Sequence, residues 1–436
     1  MNLLNRFTPI LLLIALLAVF TVRGRAYSVL THEQIVDLLW KDQIQPLLLK
    51  RFPGTTDDQM REAHAYAYGG SVIQDMGYYP FGSKYFSDLV HYVRSGDFVE
   101  ALIRNSSDLN EYAFALGALA HYTADNSGHP MINQVVAIEF PKLKKKYGDK
   151  VTYADDPKAH IRTEFGFDVE QVAKNRYTSD RYHDFIGFEV AKPLMQRSFE
   201  ETYGIKLDEV FGDLDLAIGT FRRSISKVLP EMTRVALISR KDEIVRETPN
   251  FDKKKFLYYL SRTGYEKEWG KGYRRPGFGT RILAFILKAI PKFGPFSALN
   301  FKIPSTKTED MYIKSVDATV QDYAHRLRQV KQNGDLDLPN LDCDTGEKAK
   351  AGEYRLADKT FAKLVDDLAN QAPAQIDPDL QSELAQFYAG ATIASEKKDD
   401  KKSREKTLQE LDKLGLKLRS DVLDFPSFPG TVCGSE

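Results

Sequence analysis

The segment ALGALAHYTADNSGHP, residues 115–130, constrains the fold of this chain more strongly than any other stretch. It places His121, Asp125 and His129 at four-residue intervals. On a helix all three would lie on one face, each turned only about 40° from the last. The alanines and glycines around them are small enough to let other backbones approach this face closely. The segment therefore predicts the inside of a helical bundle that carries potential metal ligands.

Helical patterning continues over most of the chain. Apolar residues at helical spacing follow Thr31, which we expect to be a helix N-cap, and we expect Thr56 or Asp57 to cap the next helix. The sequence has no sustained alternating pattern of a strand and no internal repeat, so we predict an all-α fold. Further helices are predicted at 158–174, 188–203, 209–240, 306–332, 354–371, 377–395 and 403–418.

The chain of 436 residues is long enough for two or three domains. The charged stretch SRKDEIVRETPNFDKKK contains Pro249 and predicts a boundary between residues 27–240 and a second, mainly helical region of unknown function at 241–436. A turn-rich stretch at 332–352 predicts a long loop. Within it, DCDTG at 342–346 faintly resembles a calcium loop but lacks the full ligand series, so we assign it no metal.

The N-terminus has the pattern of a secretory signal peptide. Arg6 precedes an apolar run that is too short to span a bilayer comfortably, and small residues precede a cleavage point after Ala26. We therefore expect residues 1–26 to be removed and the protein to be exported, secreted or periplasmic, with Tyr27 as its first mature residue. An uncleaved anchor helix is the alternative interpretation.

Composition limits the partners that charge alone would attract and the side chains that could bind a metal. Lys plus Arg and Asp plus Glu number 61 each, so the overall charge gives no electrostatic footprint for nucleic acid or for an anionic membrane. The two cysteines, Cys343 and Cys433, lie in the last hundred residues, and neither is expected to serve a metal site in the first half of the chain. Any metal there has to be held by His, Asp and Glu.

Histidines are concentrated in the first part of the chain. Six of the eight lie within residues 32–164, where several form i, i+4 pairs with acids that one helix face can carry together. Zinc takes imidazole and carboxylate where thiolates are absent, and helical bundles build such sites from facing pairs. This pattern predicts a site for several zinc ions, whereas we interpret His183 and His325 as ordinary polar residues. The candidate ligands are His32, Asp75, His91, His121, Asp125, His129, His160 and Glu164.

The order of these eight residues resembles the zinc-dependent phospholipase C family. That superfamily also includes the fungal zinc nucleases and the amino-terminal domain of glycosylphosphatidylinositol-specific phospholipase D, whose motif spacing is matched by the interval from Asp125 to His129. The resemblance covers roughly residues 27 to 240. It implies an all-α phospholipase C/nuclease-like bundle with two to three zinc ions as cofactors.

The resemblance also implies a role for each candidate. The first zinc would be held by Asp75, His91, His121 and Asp125, with Asp125 bridging to the second. The second zinc would take His32 together with the backbone amino and carbonyl groups of Tyr27, a position where the family usually has Trp. The third zinc would be held by His129, His160 and Glu164.

Clustered zinc ions suit phosphodiester hydrolysis, because bound water becomes a usable hydroxide and the cations neutralise charge on the phosphoryl oxygens. We therefore predict an exported zinc-dependent phosphodiesterase that hydrolyses phospholipids, in the manner of phospholipase C, through a zinc-bound hydroxide. Asp75 is the candidate for orienting or deprotonating the attacking water. A role as a plain ligand is equally compatible with its position.

The sequence leaves the substrate open. Five aromatic residues between Asp75 and His91 suit a nucleobase, a lipid headgroup, a bilayer interface or the protein core. The apolar segment 279–296 suits either peripheral membrane contact or a buried helix. One alternative is a zinc-dependent single-strand nuclease on the same scaffold, the only case in which nucleic acid is a partner. The other is a non-catalytic, zinc-stabilised envelope or binding protein.

Overall fold

The structure is a computed structural model that describes residues 28–173, 188–229, 232–233, 301–333, 336–370, 376–389 and 398–416. This part of the chain is almost entirely helical, which confirms the predicted all-α fold class. In chain order its elements are α1 (Val29–Leu39), α2 (Gln45–Arg51), α3 (Asp57–Ser71), α4 (Lys84–Tyr92), α5 (Ser95–Asn105), α6 (Leu109–Glu139), α7 (Pro141–Tyr147), α8 (Pro157–Ala173), α9 (Lys192–Tyr203), α10 (Leu207–Val210), α11 (Leu214–Arg223), α12 (Thr306–Asn333), β1 (Leu341–Asp342), β2 (Glu347–Lys348), α13 (Arg355–Asn370), α14 (Pro378–Ala389) and α15 (Lys398–Lys413). A 3₁₀ helix spans Ile73–Tyr78, and π-helical turns follow α1 and α11.

The chain divides into two compact units, Met1–Lys348 and Ala349–Glu436. The first contains α1 to α12 and the two short strands, and the second contains α13 to α15. The boundary that the sequence places near residue 240 stays a prediction, because residues 234–300 lie outside the described part of the chain. None of the helices in the described ranges has the length and apolar character needed to cross a membrane.

Helix α6 is the centre of the first unit. It begins at the N-cap Asp108, whose side chain accepts a hydrogen bond from the backbone N–H of Glu111 at 2.8 Å. Every residue from 111 to 125 is buried, as expected of a helix surrounded by others on all sides. The helix continues past Pro130 to Glu139, so that the whole opening motif lies on one continuous element.

Helices α3 and α6 cross in direct backbone contact, as the small residues of the opening segment predict. A Cβ on Gly117 would lie 2.0 Å from the carbonyl oxygen of Ala67, and one on Gly70 would lie 1.9 Å from that of Phe114. Only glycine fits at either position, because real Cβ atoms do not approach oxygen so closely. This crossing brings the last turn of α3 against the face of α6 that carries His121.

Residues far along the chain complete the core of the first unit. The Tyr323 hydroxyl of α12 donates a hydrogen bond to the carbonyl oxygen of Leu116 in α6, at 2.8 Å. The Tyr312 ring, also on α12, stacks on Phe167 of α8 with the ring centroids 4.3 Å apart. Both tyrosines are fully buried, so α12 is an integral part of this core.

A strap, residues 338–346, runs back across α5 and α6. Its Asn340 side-chain oxygen accepts hydrogen bonds at 3.1 Å from the backbone N–H groups of Gly96 and Asp97, at the start of α5. The Tyr122 hydroxyl of α6 donates to the carbonyl oxygen of Pro339 at 2.5 Å. The sequence predicts a long loop here, whereas β1 and β2 pair as an antiparallel hairpin. Strands of two residues are too short to give an alternating pattern.

Two local predictions need correction. Helix α1 begins at Val29 rather than after a cap at Thr31, because the Thr31 hydroxyl is engaged by residues far away in the sequence. The single helix predicted at 209–240 is interrupted before α11. The side chain of Asp213 accepts a hydrogen bond from the N–H of Leu216 at 2.9 Å and starts a new helix there. Thr56 caps α3, as predicted.

The second unit has its own apolar core. The rings of Phe361 on α13 and Phe387 on α14 stack with their centroids 3.6 Å apart. Leu364 and Leu368 of α13 are buried, as is Leu384 of α14. This part of the chain is helical, as the sequence predicts for the C-terminal region.

Candidate metal centre

Five predicted ligands come together in a first cluster: His32, Asp75, His91, His121 and Asp125. They are contributed by α1, the 3₁₀ helix, α4 and α6, and all five are buried. Ser87 of α4 holds two of these elements together. Its hydroxyl accepts a hydrogen bond from the N–H of Gly77 at 2.9 Å and donates to the carbonyl oxygen of Gln74 at 2.5 Å. These bonds fix the segment that carries Asp75 against the helix that carries His91.

Asp125 is the centre of the first cluster. Its Oδ2 lies 3.1 Å from His121 Nε2 and 3.2 Å from His91 Nε2, and its Oδ1 lies 3.5 Å from His32 Nε2. The two oxygens of one carboxylate therefore face different histidines, which is the arrangement that a bridging ligand needs. Asp75 Oδ1 lies 3.6 Å from His91 Nε2, at the edge of the same cluster.

The donor atoms of the first cluster form two overlapping sets. His32, His121 and Asp125 make one set, and Asp75, His91 and His121 make the other. Within each set the potential ligand atoms all lie within 4.8 Å of one another. The spacing matches what two neighbouring cations would require.

Hydrogen bonds fix the orientation of two of these histidines. His91 Nδ1 donates to the carbonyl oxygen of Ser87 at 2.6 Å, and His121 Nδ1 donates to that of Ser71 at 2.9 Å. The Ser71 carbonyl is available because α3 and α6 cross so closely. With Nδ1 engaged by these carbonyls, the Nε2 of each ring faces Asp125, and it offers a lone pair to a metal once its own proton is lost.

Burial and charge set the protonation of the cluster. Burial alone would lower the pKa of His121, but the contact with Asp125 outweighs it and raises the pKa to about 9. Burial alone would raise the pKa of Asp125, but His121 and His91 hold it well below its ordinary value. Burial, reinforced by His121, lowers the pKa of His32. Asp125 is therefore a carboxylate and His32 a neutral imidazole at neutral pH, which are the forms that bind metal.

The remaining three predicted ligands form a second cluster: His129, His160 and Glu164. His129 lies one turn after Asp125 on α6, and α8 carries the other two. His160 Nε2 donates to the carbonyl oxygen of Val151 at 2.5 Å, and its Nδ1 lies 3.6 Å from Glu164 Oε1. All three side chains are buried, and burial raises the pKa of Glu164.

One acid at the second cluster, Asp344, is not among the ligands predicted from the sequence. Asp344 of the strap is fully buried, and its Oδ1 lies 3.0 Å from His129 Nδ1. The DCDTG motif that contains it was assigned no metal. Only its two closely spaced acids could have drawn attention to it, because nothing local in the sequence connects residue 344 with residue 129.

A second missed acid, Asp168 of α8, holds the start of α1. Its carboxylate accepts hydrogen bonds from the N–H of Leu30 at 3.0 Å and from the Thr31 hydroxyl at 2.7 Å. Burial raises the pKa of Asp168 to about 6. These bonds position the helix turn that carries His32.

Other residues singled out in the sequence lie elsewhere. Tyr27, His183 and the segment 279–296 are outside the described residues. His64, the sixth histidine of the first part, pairs with Asp37 at 2.9 Å and stacks on Trp40, with the centroids 3.7 Å apart. It therefore has a local role outside both clusters, and His325 is exposed on α12.

The aromatic residues between Asp75 and His91 divide between core and surface. Tyr78, Tyr79 and Phe86 are buried, whereas Phe81 is 59% exposed and has a left-handed φ of 62°. Tyr78 packs beside His91, with the ring centroids 6.2 Å apart. Most of this stretch therefore belongs to the protein core, with Tyr78 beside the site.

The donor set fits zinc. Both oxygens of Glu164, Nδ1 of His160 and Nε2 of His129 are buried without a hydrogen-bond partner. Buried carboxylate oxygens are rarely left in this condition unless a cation satisfies them. Imidazole nitrogens and carboxylate oxygens, with no thiolate among the grouped donors, are ligands that zinc accepts.

Comparison with known proteins agrees with this chemistry. The family model described as zinc dependent phospholipase C matches residues 31–212, a span that contains all eight predicted side-chain ligands and excludes Asp344. No curated protein and no solved structure gives a significant match to the chain. Residues 31–212 of this chain are therefore similar to the zinc-dependent phospholipase C family.

Proposed function

We propose that this protein is an exported, zinc-dependent phosphodiesterase that hydrolyses phospholipids in the manner of phospholipase C. The observation that carries the proposal is the first cluster, in which Asp125 faces His32, His91 and His121 inside the segment that matches this family. Buried donors without other partners in the second cluster add support for a further ion. We expect two to three zinc ions in all.

The zinc ions would be divided between the two clusters. In the first, the set with Asp75, His91 and His121 would hold one ion and the set with His32 would hold another, with Asp125 common to both. His129, His160 and Glu164 would hold the third. Bound zinc supplies Lewis acidity and positive charge, which polarise water and stabilise charge on phosphoryl oxygens.

Asp75 is the proposed acceptor of the proton from the attacking water. Its carboxylate lies at the edge of the first cluster, beside His91, where it can orient a water molecule as well as bind metal. Burial, reinforced by the charge of Asp75, raises the pKa of the nearby Tyr79 well above its ordinary value. The Tyr79 hydroxyl therefore stays protonated and does not compete with Asp75 as the proton acceptor.

Phe81 is the proposed contact for the apolar part of the substrate. It lies six residues after Asp75 and is one of only four large apolar side chains that are exposed in the described part of the chain. The hydroxyl of Thr220 donates to the carbonyl oxygen of Pro80 at 2.6 Å and fixes the turn before it. The left-handed backbone conformation of a bulky residue such as Phe81 costs about 1–2 kcal/mol of folding free energy. Strain of this kind is typical of functional positions, which suits a role in binding.

A side-by-side assay tests this function. Purified, zinc-loaded protein that begins at Tyr27 is given phospholipid vesicles and, separately, single-stranded nucleic acid. We expect release of a phosphorylated headgroup from the vesicles, and no release by the Asp125→Asn variant. Rapid cleavage of nucleic acid without lipid turnover would favour the nuclease. Zinc binding without either activity would favour a non-catalytic binding protein.

Export has its own test. Residues 1–26 lie outside the described part of the chain, so the proposal rests on their signal-peptide pattern. N-terminal sequencing of protein recovered after secretion should begin at Tyr27. An additional residue before Tyr27 should weaken the zinc shared with His32, because the amino group would no longer be in place to bind it.

A further inference from the structure

Asp344 reaches the second cluster from outside the family domain. It lies 215 residues after His129 in the sequence, and yet its Oδ1 is 3.0 Å from His129 Nδ1, with both side chains fully buried. Because the matched family segment ends at residue 212, the ligand pattern of that segment does not include this acid. The contact is therefore a feature of this chain that the domain alone does not contain.

At His129, the Asp344 carboxylate takes the place that a backbone carbonyl oxygen takes at three other cluster histidines. His91, His121 and His160 each donate one ring nitrogen to a carbonyl oxygen and turn the other nitrogen toward neighbouring acids. At His129 the carboxylate of Asp344 stands where that carbonyl would be. Both ring nitrogens of His129 are buried without a full hydrogen bond. Nδ1 pairs with the Asp344 carboxylate at 3.0 Å, whereas Nε2 has no such neighbour among the described residues and is left for a metal.

Three hydrogen bonds hold Asp344 in this position. The Tyr92 hydroxyl of α4 donates to its Oδ2 at 2.7 Å, and the Asn133 side-chain amide of α6 donates to its backbone carbonyl at 2.9 Å. Its own N–H donates to Asp342 Oδ1 at 2.8 Å. The acid is thus fixed from two helices and from within the strap.

The following turn is shaped to fit α6. Gly346 has a φ of 72°, and a Cβ at this position would lie 2.7 Å from the carbonyl oxygen of Asn126. Pro130 has no N–H to offer that carbonyl, which leaves the surface of α6 open there. The strap therefore seats against the same part of α6 that carries His129.

We propose that Asp344 is a positioning residue of the zinc site in the second cluster, which His129, His160 and Glu164 would form. It accepts the Nδ1 proton of His129, fixes the ring orientation and tautomer, and so presents Nε2 to the metal. This is the carboxylate–histidine–metal arrangement, whose removal costs about 10–100-fold in metal affinity. The inference rests on the proposed zinc binding and does not depend on which phosphodiester is the substrate.

Zinc titration of the full mature chain tests the proposal. Metal-free wild type, Asp344→Ala and Asp344→Asn are titrated with zinc against a competing chelator, and bound zinc is counted by elemental analysis. In Asp344→Ala we expect the zinc of the second cluster to lose about 10–100-fold in affinity while the zinc of the first cluster is unchanged. Asp344→Asn should recover most of that loss, because its amide oxygen can still accept the Nδ1 proton.

Asp342→Asn is the matched control, since it removes a buried carboxylate two residues away that contacts backbone N–H groups of the strap. The amide oxygen of Asn can still accept those N–H groups and keep Asp344 in place, so this variant should bind zinc like the wild type. Asp344→Ala with wild-type zinc affinity and count would overturn the proposal, whatever its thermal stability. Equal losses in Asp344→Ala and Asp344→Asn would also overturn it, because they indicate a direct ligand.

Folding and the wider function are checked separately. If Asp344→Ala does not fold, Asp344→Ser replaces it, since its shorter side chain is polar but does not reach His129. Cobalt(II) spectra of each folded variant report whether ligand geometry at the second cluster has changed. A wild type that binds less than one zinc would refute zinc binding as a whole, whereas zinc-replete protein inactive on lipids would refute only the substrate.

Discussion

The two clusters differ in the groups that orient their histidine rings and in where those groups lie in the sequence. In the first cluster the rings of His91 and His121 are oriented by carbonyl oxygens of Ser87 and Ser71, all within the matched family domain. In the second cluster His160 is held in the same way, but His129 faces a carboxylate from residue 344. The first cluster is thus oriented entirely from within the matched segment, whereas the second cluster also draws on a segment beyond it.

The contacts within the clusters also differ. Asp125 lies within 3.5 Å of three histidine nitrogens, so the first cluster is already compact. The His129 and His160 rings are 6.3 Å apart, and Glu164 makes no hydrogen bond through either oxygen. The second cluster should therefore hold its metal more weakly and depend more on the metal to satisfy its donors.

The largest effect is expected at Asp125. Asp125→Ala removes the carboxylate that faces three histidines, so zinc should be lost from the first cluster and activity should fall by more than about 100-fold. Unpairing the buried His121 should also lower the free energy of unfolding by about 3–5 kcal/mol. Elemental analysis, vesicle hydrolysis and urea unfolding measure these effects, with His325→Ala as an exposed control. Full zinc content in Asp125→Ala would refute the central role of this residue.

A smaller effect is expected at Glu164, and it should separate the two clusters. Glu164→Ala removes one ligand of the second cluster, so one zinc equivalent should be lost while the first cluster keeps its metal. Activity should fall by about 10–100-fold, less than for Asp125→Ala. Zinc counting and activity on the same sample measure both. Loss of all zinc from this variant would mean that the clusters are a single binding unit.

A third prediction concerns pH and the first cluster without metal. The contact with Asp125 raises the pKa of His121 to about 9 from an ordinary value of 6.5. The resulting stability is fully present below 6.5 and is lost as the pH rises through 9. Relative to His121→Gln, the free energy of unfolding of metal-free wild type should therefore fall by on the order of 3 kcal/mol between about pH 6 and pH 10. Urea unfolding at each pH measures this difference, and a constant difference would contradict the assigned contact.

The smallest effect is expected at His64. His64→Ala removes a ring that pairs with Asp37 and stacks on Trp40, so stability should fall by about 1 kcal/mol while zinc content stays unchanged. Thermal unfolding and elemental analysis of the same preparation test both points. Loss of zinc here would place a sixth histidine in the metal centre.

Much of the site follows from helical periodicity. His121, Asp125 and His129 share one face of α6 because four residues complete little more than one helical turn. The same rule pairs His160 with Glu164 on α8. The small residues around the opening motif predict the close helix crossing, which Gly70 and Gly117 make possible. These features are local, and a single sequence contains them.

What the sequence does not contain is the pairing of distant segments. Asp344 is buried against His129. The Thr31 hydroxyl is hydrogen-bonded to Asp168 and Tyr312. No local sequence pattern predicts either contact. A histidine count also treats His64 like the ligands, although it belongs to a separate cluster with Asp37 and Trp40. Only the folded chain distinguishes these cases.

The strap also sets an order of events during synthesis. Glu164 and Asp344 are separated by 180 residues, which is 344 minus 164. At roughly 5–20 residues per second, a ribosome needs about 10–40 s to produce Asp344 after Glu164. All five side chains of the first cluster are made before residue 126, whereas His129 can acquire its carboxylate partner only after residue 344 of 436 has been made.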